Sequence, residues 1–232
     1  MSTALPPIGR GGIVNSVRKL SGNIVTGWRE VSSTADFIAG YIATLDGTTG
    51  KVVVADDSST VVLGLLFCHK TTSFYRPVVN ESVTFTGDGS AITLANPNLK
   101  TSTLRVTDST GVTVYAVTTD YTINTTNGVI THTSTGSTIG ATDTVLVDYL
   151  YLDATVTGID QTLGSGRAAI IEGNGEIATL VYETNAAWAL NATVKVSANG
   201  LPTIGGSGAT IGFVTKVPTS SDPELQFQMR LS

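Results

Sequence analysis

Short segments that read as β-strands recur along this chain every 8–12 residues with turn-forming residues between them, and almost nothing in it has a helical period. Such spacing belongs to sandwiches and barrels. The segments are 12–17, 41–45, 51–54, 61–68, 82–85, 104–107, 113–117, 129–133, 144–150, 168–171, 176–183, 193–197, 211–217 and 225–231. The best helical stretches, 35–39 and 184–190, are about one turn each. Charged residues make up 13% of the chain, about half the usual share, and their place is taken by Thr, Ser, Gly, Val and Ile. Val, Ile and Thr are stiff at χ1 and suit a pleated surface, so the low charge reads as ordered β-structure.

The net charge of −5 argues against nucleic-acid binding, which calls for a basic patch. No apolar run approaches the ~20 residues of a membrane-spanning helix, and the first residues lack the basic start and apolar core of a signal peptide. The one cysteine, Cys68, cannot form an internal disulfide, which fits assembly in a reducing cytoplasm.

Three regions emerge. Residues 1–12 contain Pro6-Pro7, which enforces an extended path, and Gly9-Arg10-Gly11-Gly12, a flexible joint. They read either as a disordered terminus or as an extended arm on a neighbouring subunit, with Pro6, Pro7, Ile8 and Arg10 as the interface residues. Residues 84–152 read as an inserted domain. There Asp108–Gly111 supplies a hairpin turn and Asn127-Gly128 a type I′ signal, and a long strand from Thr144 closes the unit. Several short antiparallel strands in that length predict an immunoglobulin-like β-sandwich without the usual cysteine pair or tryptophan. The flanks, 13–83 and 153–232, are too short to fold apart and together predict a small β-barrel or sandwich core.

The flanks also repeat one design. The segment from Phe37 to Gly50 matches that from Trp188 to Gly200, each running from an aromatic through a short strand to a glycine turn. Each then leads to a strand with a central glycine, Gly64 within Val62–Leu66 and Gly212 within Thr210–Val214. A glycine there permits a bend or a close backbone approach.

Catalytic chemistry finds no footing. The two histidines are His69 and His132. His69 adjoins Cys68, so in a strand the two point to opposite faces, and His132 has no acidic neighbour at useful spacing. Zinc needs three or four nitrogen or sulfur ligands. Asp56-Asp57 reads as a solvated turn, not a calcium loop. Gly173-Asn174-Gly175-Glu176-Ile177-Ala178 fits a dinucleotide-loop pattern in form, but a strand follows it where a helix is required, so it reads as a hairpin turn. Trp28 and Trp188 read as core anchors. No catalytic, metal or cofactor residue is expected, and the protein is expected not to be an enzyme.

The stretch Tyr41–Asp56 followed by Val62–Leu66 resembles the head-decoration proteins of tailed phages, on Leu45-Asp46, Lys51-Val52, Asp56 and Gly64. Val194–Leu201 with Ile211–Val214 looks like the same signature again. Val106–Tyr115, Thr119–Ile123 and Asn127–Thr131 resemble immunoglobulin-like modules of phage structural proteins. The resemblance implies a virion structural protein, assembled in the host cytoplasm, that cements the capsid exterior. It further implies the major capsid protein as partner and a homo-oligomer, trimer or dimer. A tail-tube, baseplate or fibre component is the alternative. A carbohydrate-binding β module is a further one, against which stands the aromatic content of 6%.

Overall fold

The computed structural model describes residues 7–8, 13–14, 17–32, 36–68, 70–160, 162 and 166–231. The protein is all-β, with curled antiparallel sheets forming a half-barrel and additional sheets. In chain order the strands are β1 (Pro7–Ile8), β2 (Ile13–Val14), β3 (Val17–Glu30), β4 (Ile42–Leu45), β5 (Val52–Val54) and β6 (Gly64–Leu66). Next come β7 (Lys70–Thr84), β8 (Ala91–Thr93), β9 (Arg105–Asp108), β10 (Val114–Tyr115), β11 (Tyr121–Asn124) and β12 (Val129–His132). The last are β13 (Thr144–Asp160), β14 (Arg167–Thr179), β15 (Thr193–Val196), β16 (Pro202–Ile204), β17 (Thr210–Lys216) and β18 (Leu225–Met229). Among the described residues the two one-turn helical stretches form no helix: Phe37 bridges Lys70, and 184–190 runs through turns and bends.

The chain divides into two compact units. The first comprises Met1–Phe74, Ala154–Pro218 and Glu224–Ser232. Its main sheet has the order β16-β15-β17-β18-β14-β6-β4-β5, and β3 pairs with β14 off this path. The order is a palindrome. On one side β4 forms a hairpin with β5 (Leu45↔Val52), and β6 returns to pair with β4 (Ala43↔Gly64). On the other side β15 forms a hairpin with β16 (Val196↔Pro202), and β17 returns to pair with β15 (Val194↔Gly212). The hairpin turns are tied alike: Asp46 N–H donates to Lys51 O at 2.8 Å and Ser197 N–H to Leu201 O at 2.9 Å. In both, the side chain of the first residue accepts backbone N–H groups, Thr49 on Asp46 at 2.6 Å and Leu201 on Ser197 at 3.1 Å.

The two central glycines have the same task. A Cβ on Gly64 would lie 1.9 Å from the carbonyl oxygen of Ile171, and one on Gly212 would lie 2.0 Å from that of Gln228. In each case the obstructing carbonyl belongs to the residue opposite the next position of the glycine strand, Leu65↔Ile171 and Phe213↔Gln228. Leu65, Leu66, Ile170, Ile171 and Phe227 are fully buried around these crossings, and each such side chain contributes about 2 kcal/mol by leaving water.

β14 is the hub. One edge runs along β3 from Arg167↔Glu30 to Thr179↔Val17, while the other is shared, with β6 at 170–171 and β18 at 175–179. Both faces of residues 168–171 are buried, as in strands covered on two sides. This corrects the hairpin-turn reading of Gly173-Asn174-Gly175, which lies inside a continuous strand of 13 residues. The glycines are there for closeness rather than reversal: a Cβ on Gly22 would meet Gly175 Cα at 2.5 Å, and one on Gly175 would meet Ser21 O at 2.2 Å.

The second unit comprises Tyr75–Asp153 and Thr219–Pro223. Its seven strands form two sheets, β10-β9-β13-β7 and β11-β12-β8. Val83, Val106, Val145, Val147 and Tyr149 of the first pack with Tyr121 and Ile130 of the second in one core, so the unit is a β-sandwich. Four strands plus three is the count of a constant-type immunoglobulin domain. Within the sheets the neighbours are its own, because the entering and leaving strands, β7 and β13, pair with each other. The β11–β12 connection spans four residues, not the two of a type I′ turn: Asn124 pairs with Val129, Asn124 Oδ1 accepts Asn127 N–H at 3.2 Å, and Gly128 takes the positive φ.

Candidate interaction surface

Residues Val17–Glu30 carry Ile24, Val25 and Thr26, which favour extended backbone, but they show no alternation of polar and apolar residues. The structure explains why. Of the 14 residues only Val17 is buried; the rest are exposed or half-buried on both faces. Among the described residues β3 pairs with β14 alone, and no described strand runs along its second edge. Leu20, Val25 and Trp28 stand on it at 36%, 61% and 47% exposure.

Charged side chains fasten β3 at its ends. Arg18 donates to both carboxylate oxygens of Glu224, at 2.6 and 2.8 Å. Near the other end Arg29 donates to both oxygens of Glu172, at 2.6 and 3.1 Å, and Glu30 meets Lys51 Nζ at 2.8 Å. The hydrogen bond and charge of Glu172 raise the Arg29 pKa, and those of Lys51 hold Glu30 below the usual carboxylate range. Leu20, Val25 and Trp28 lie exposed between these anchors.

The sandwich presents a second apolar patch. Val112, Val114 and Val117 are exposed along β10 and its flanking turns, at the end of the four-stranded sheet. The turn before β10 is held by Asp108 Oδ1, which accepts Thr110 Oγ1–H at 2.8 Å and Val112 N–H at 2.9 Å. Those bonds, led by that from Thr110, hold the Asp108 pKa down to about 2.

The residues singled out in the sequence fall as follows. Pro7 and Ile8 pair with Val14 and Ile13 in a two-stranded ladder, while Pro6 and Arg10 lie outside the described residues. His69 also lies outside them. His132 is buried against Phe85, its Nε2 2.9 Å from Ile139 O. Its Nδ1 is 3.6 Å from Asp88 Oδ1, beyond hydrogen-bond reach; the fold brings this acid to it from 44 residues away in sequence (132 − 88). Asp56 holds its own loop by accepting Ser58 N–H at 3.0 Å. Cys68 is buried and is not in a disulfide. Trp188 is half-buried and outside the strands, not in the core; it donates its indole N–H to Glu183 O at 3.0 Å and stands edge-on to Tyr182. Trp28 is a correction too: it is on the exposed edge, not in the core. Among the described residues no three His, Cys, Asp or Glu side chains gather to hold a metal ion.

Residues 30–176 match the family described as Protein of unknown function UCP028589. The chain belongs to this family. The matched span starts at the last residue of β3 and ends within β14, so the family segment holds the first glycine-strand unit and the sandwich. No curated protein and no solved structure matches the chain.

Proposed function

We propose that this protein is a virion structural component that binds the outer surface of a capsid shell, against the major capsid protein, and stabilises it. One observation carries the reading. Leu45, Asp46, Lys51, Val52, Asp56 and Gly64, on which the resemblance to decoration proteins rests, belong to one three-stranded unit that occurs twice in the same sheet. The exposed apolar side chains on β3 and β10 support it further. Such a protein works through rigid sheets, open strand edges and many modest contacts, multiplied when several copies engage one lattice.

The test is to mix the purified protein with undecorated heads and image them by electron microscopy. Saturable, regularly spaced density on the shell, with increased resistance of the heads to heat, is the expected result. Failure to bind heads, with rings or tubes of the protein alone, would instead make it a tail component. Removal of residues 1–12 is expected to weaken head binding while leaving the circular dichroism spectrum unchanged; undiminished affinity would remove the arm from the interface.

A further inference from the structure

We propose that β3 is the seat of a two-fold homodimer in which two copies pair antiparallel along their open β3 edges. An unpaired edge invites another strand, and proteins normally blunt such edges by shortness, proline or charge. This chain does so elsewhere. The sheet-end strands β5 and β16 have three residues each, and β16 begins with Pro202. In the sandwich, β8, β10 and β11 have two to four residues, and the long end strand β7 carries Pro77 at its middle. Among the described residues β3 is the long edge left without a proline; its charges are confined to its ends and its register shift to Leu20, so 21–28 is an uncharged run, and Leu20, Val25 and Trp28 lie in solvent.

The charges at the ends of β3 are committed within each copy, Arg18 to Glu224, Arg29 to Glu172 and Glu30 to Lys51, so the uncharged stretch 20–28 is what two copies can share. Antiparallel pairing is isologous, so it closes at two copies and does not propagate as a fibre. At about 3.3 Å per residue the strand is roughly 46 Å long, and with a contact roughly 10 Å deep the pair buries on the order of 900 Å² in total. That is below the ~1,600 Å² of a standard stable interface, so the dimer belongs to the weak, concentration-dependent class.

Sedimentation velocity of the full chain from ~1 to ~100 μM, a range bracketing the micromolar affinities of small interfaces, tests this. The wild type is expected to pass from monomer to dimer over that range, and Val25→Lys with Trp28→Glu to weaken the dimer at least tenfold. Hydrogen exchange on the wild type alone gives a second reading that does not depend on how the variant folds: β3 amides gain protection with concentration, and β10 amides do not. A wild type that stays monomeric at the highest concentration, a trimer, or a dimer without added protection in β3 would overturn the proposal. None of these readings involves capsids, so head binding and dimerisation fail or succeed separately.

Discussion

Gly64 and Gly212 are structural equivalents: each lets its strand pass against a neighbouring carbonyl that a single methyl group would strike, 1.9 Å away in one case and 2.0 Å in the other. Both obstructing atoms are backbone and cannot swing aside. Gly64→Ala and Gly212→Ala are therefore each expected to cost about 3 kcal/mol, the range of overpacked cores. Gly87→Ala, at a site with no atom within 4 Å of the added carbon, is the control. Urea denaturation measures all three; midpoints of Gly64→Ala and Gly212→Ala that match the control would refute the obstruction, and midpoints that differ from each other would refute the equivalence.

Arg105 and Asp148 form a largely buried pair at 3.2 Å inside the sandwich. Burial raises the Asp148 pKa, while bonds from Asn80 N–H and Arg105 pull against that rise. Because the folded-state value lies above the unfolded one, Asp148 releases its proton more easily when unfolded. Stability is therefore lost as pH rises from the ordinary carboxylate range to the raised value, and is level beyond it. Arg105→Met removes the counter-charge and is expected to cost about 3–5 kcal/mol at neutral pH and much less in acid, where Asp148 is protonated in both proteins. A gap independent of pH would show that the arginine contributes packing alone.

Asp108 has the opposite sign. Its carboxylate pKa is held down to about 2 by the bonds of its own turn, so its contribution is present above the ordinary value of 3.8 and lost as pH falls through about 2. The Asp108 carboxyl carbon resonance is expected to titrate near that value, and Thr110→Val to move the midpoint upward. A wild-type midpoint near 4 would mean that the turn bonds do not persist in solution.

The two tryptophans are expected to report different surroundings. With Trp188→Phe the remaining Trp28 should emit to the red and be readily quenched by acrylamide in dilute solution. With Trp28→Phe the remaining Trp188 should emit to the blue and resist quenching. Loss of the bond from Trp188 to Glu183 is expected to cost about 1 kcal/mol, read from thermal unfolding of Trp188→Phe.

The parts of this fold that were legible in the sequence are those where burial writes a period. Thr193–Val196 and Leu225–Met229 each have one face in a core, and the alternation shows. The duplicated unit was legible because a glycine strand follows a glycine turn in both copies. The candidate surface was not, and the reason is physical: a strand exposed on both faces has no pattern to display, so residues 18–30 give no strand signal and Trp28 reads as core. Gly173-Asn174-Gly175 has turn chemistry in isolation. Only Gly22-Asn23, lying antiparallel to it across the sheet, explains the glycines, and no local window contains both.

The chain enters and leaves the sandwich through β7 and β13, which are neighbours in one sheet. Adjacent strands lie about 4.8 Å apart, so the sandwich is a cassette with entry and exit side by side. A foreign domain with similarly close termini can be spliced between the two strands in its place, with the sheet of the first unit left as its carrier.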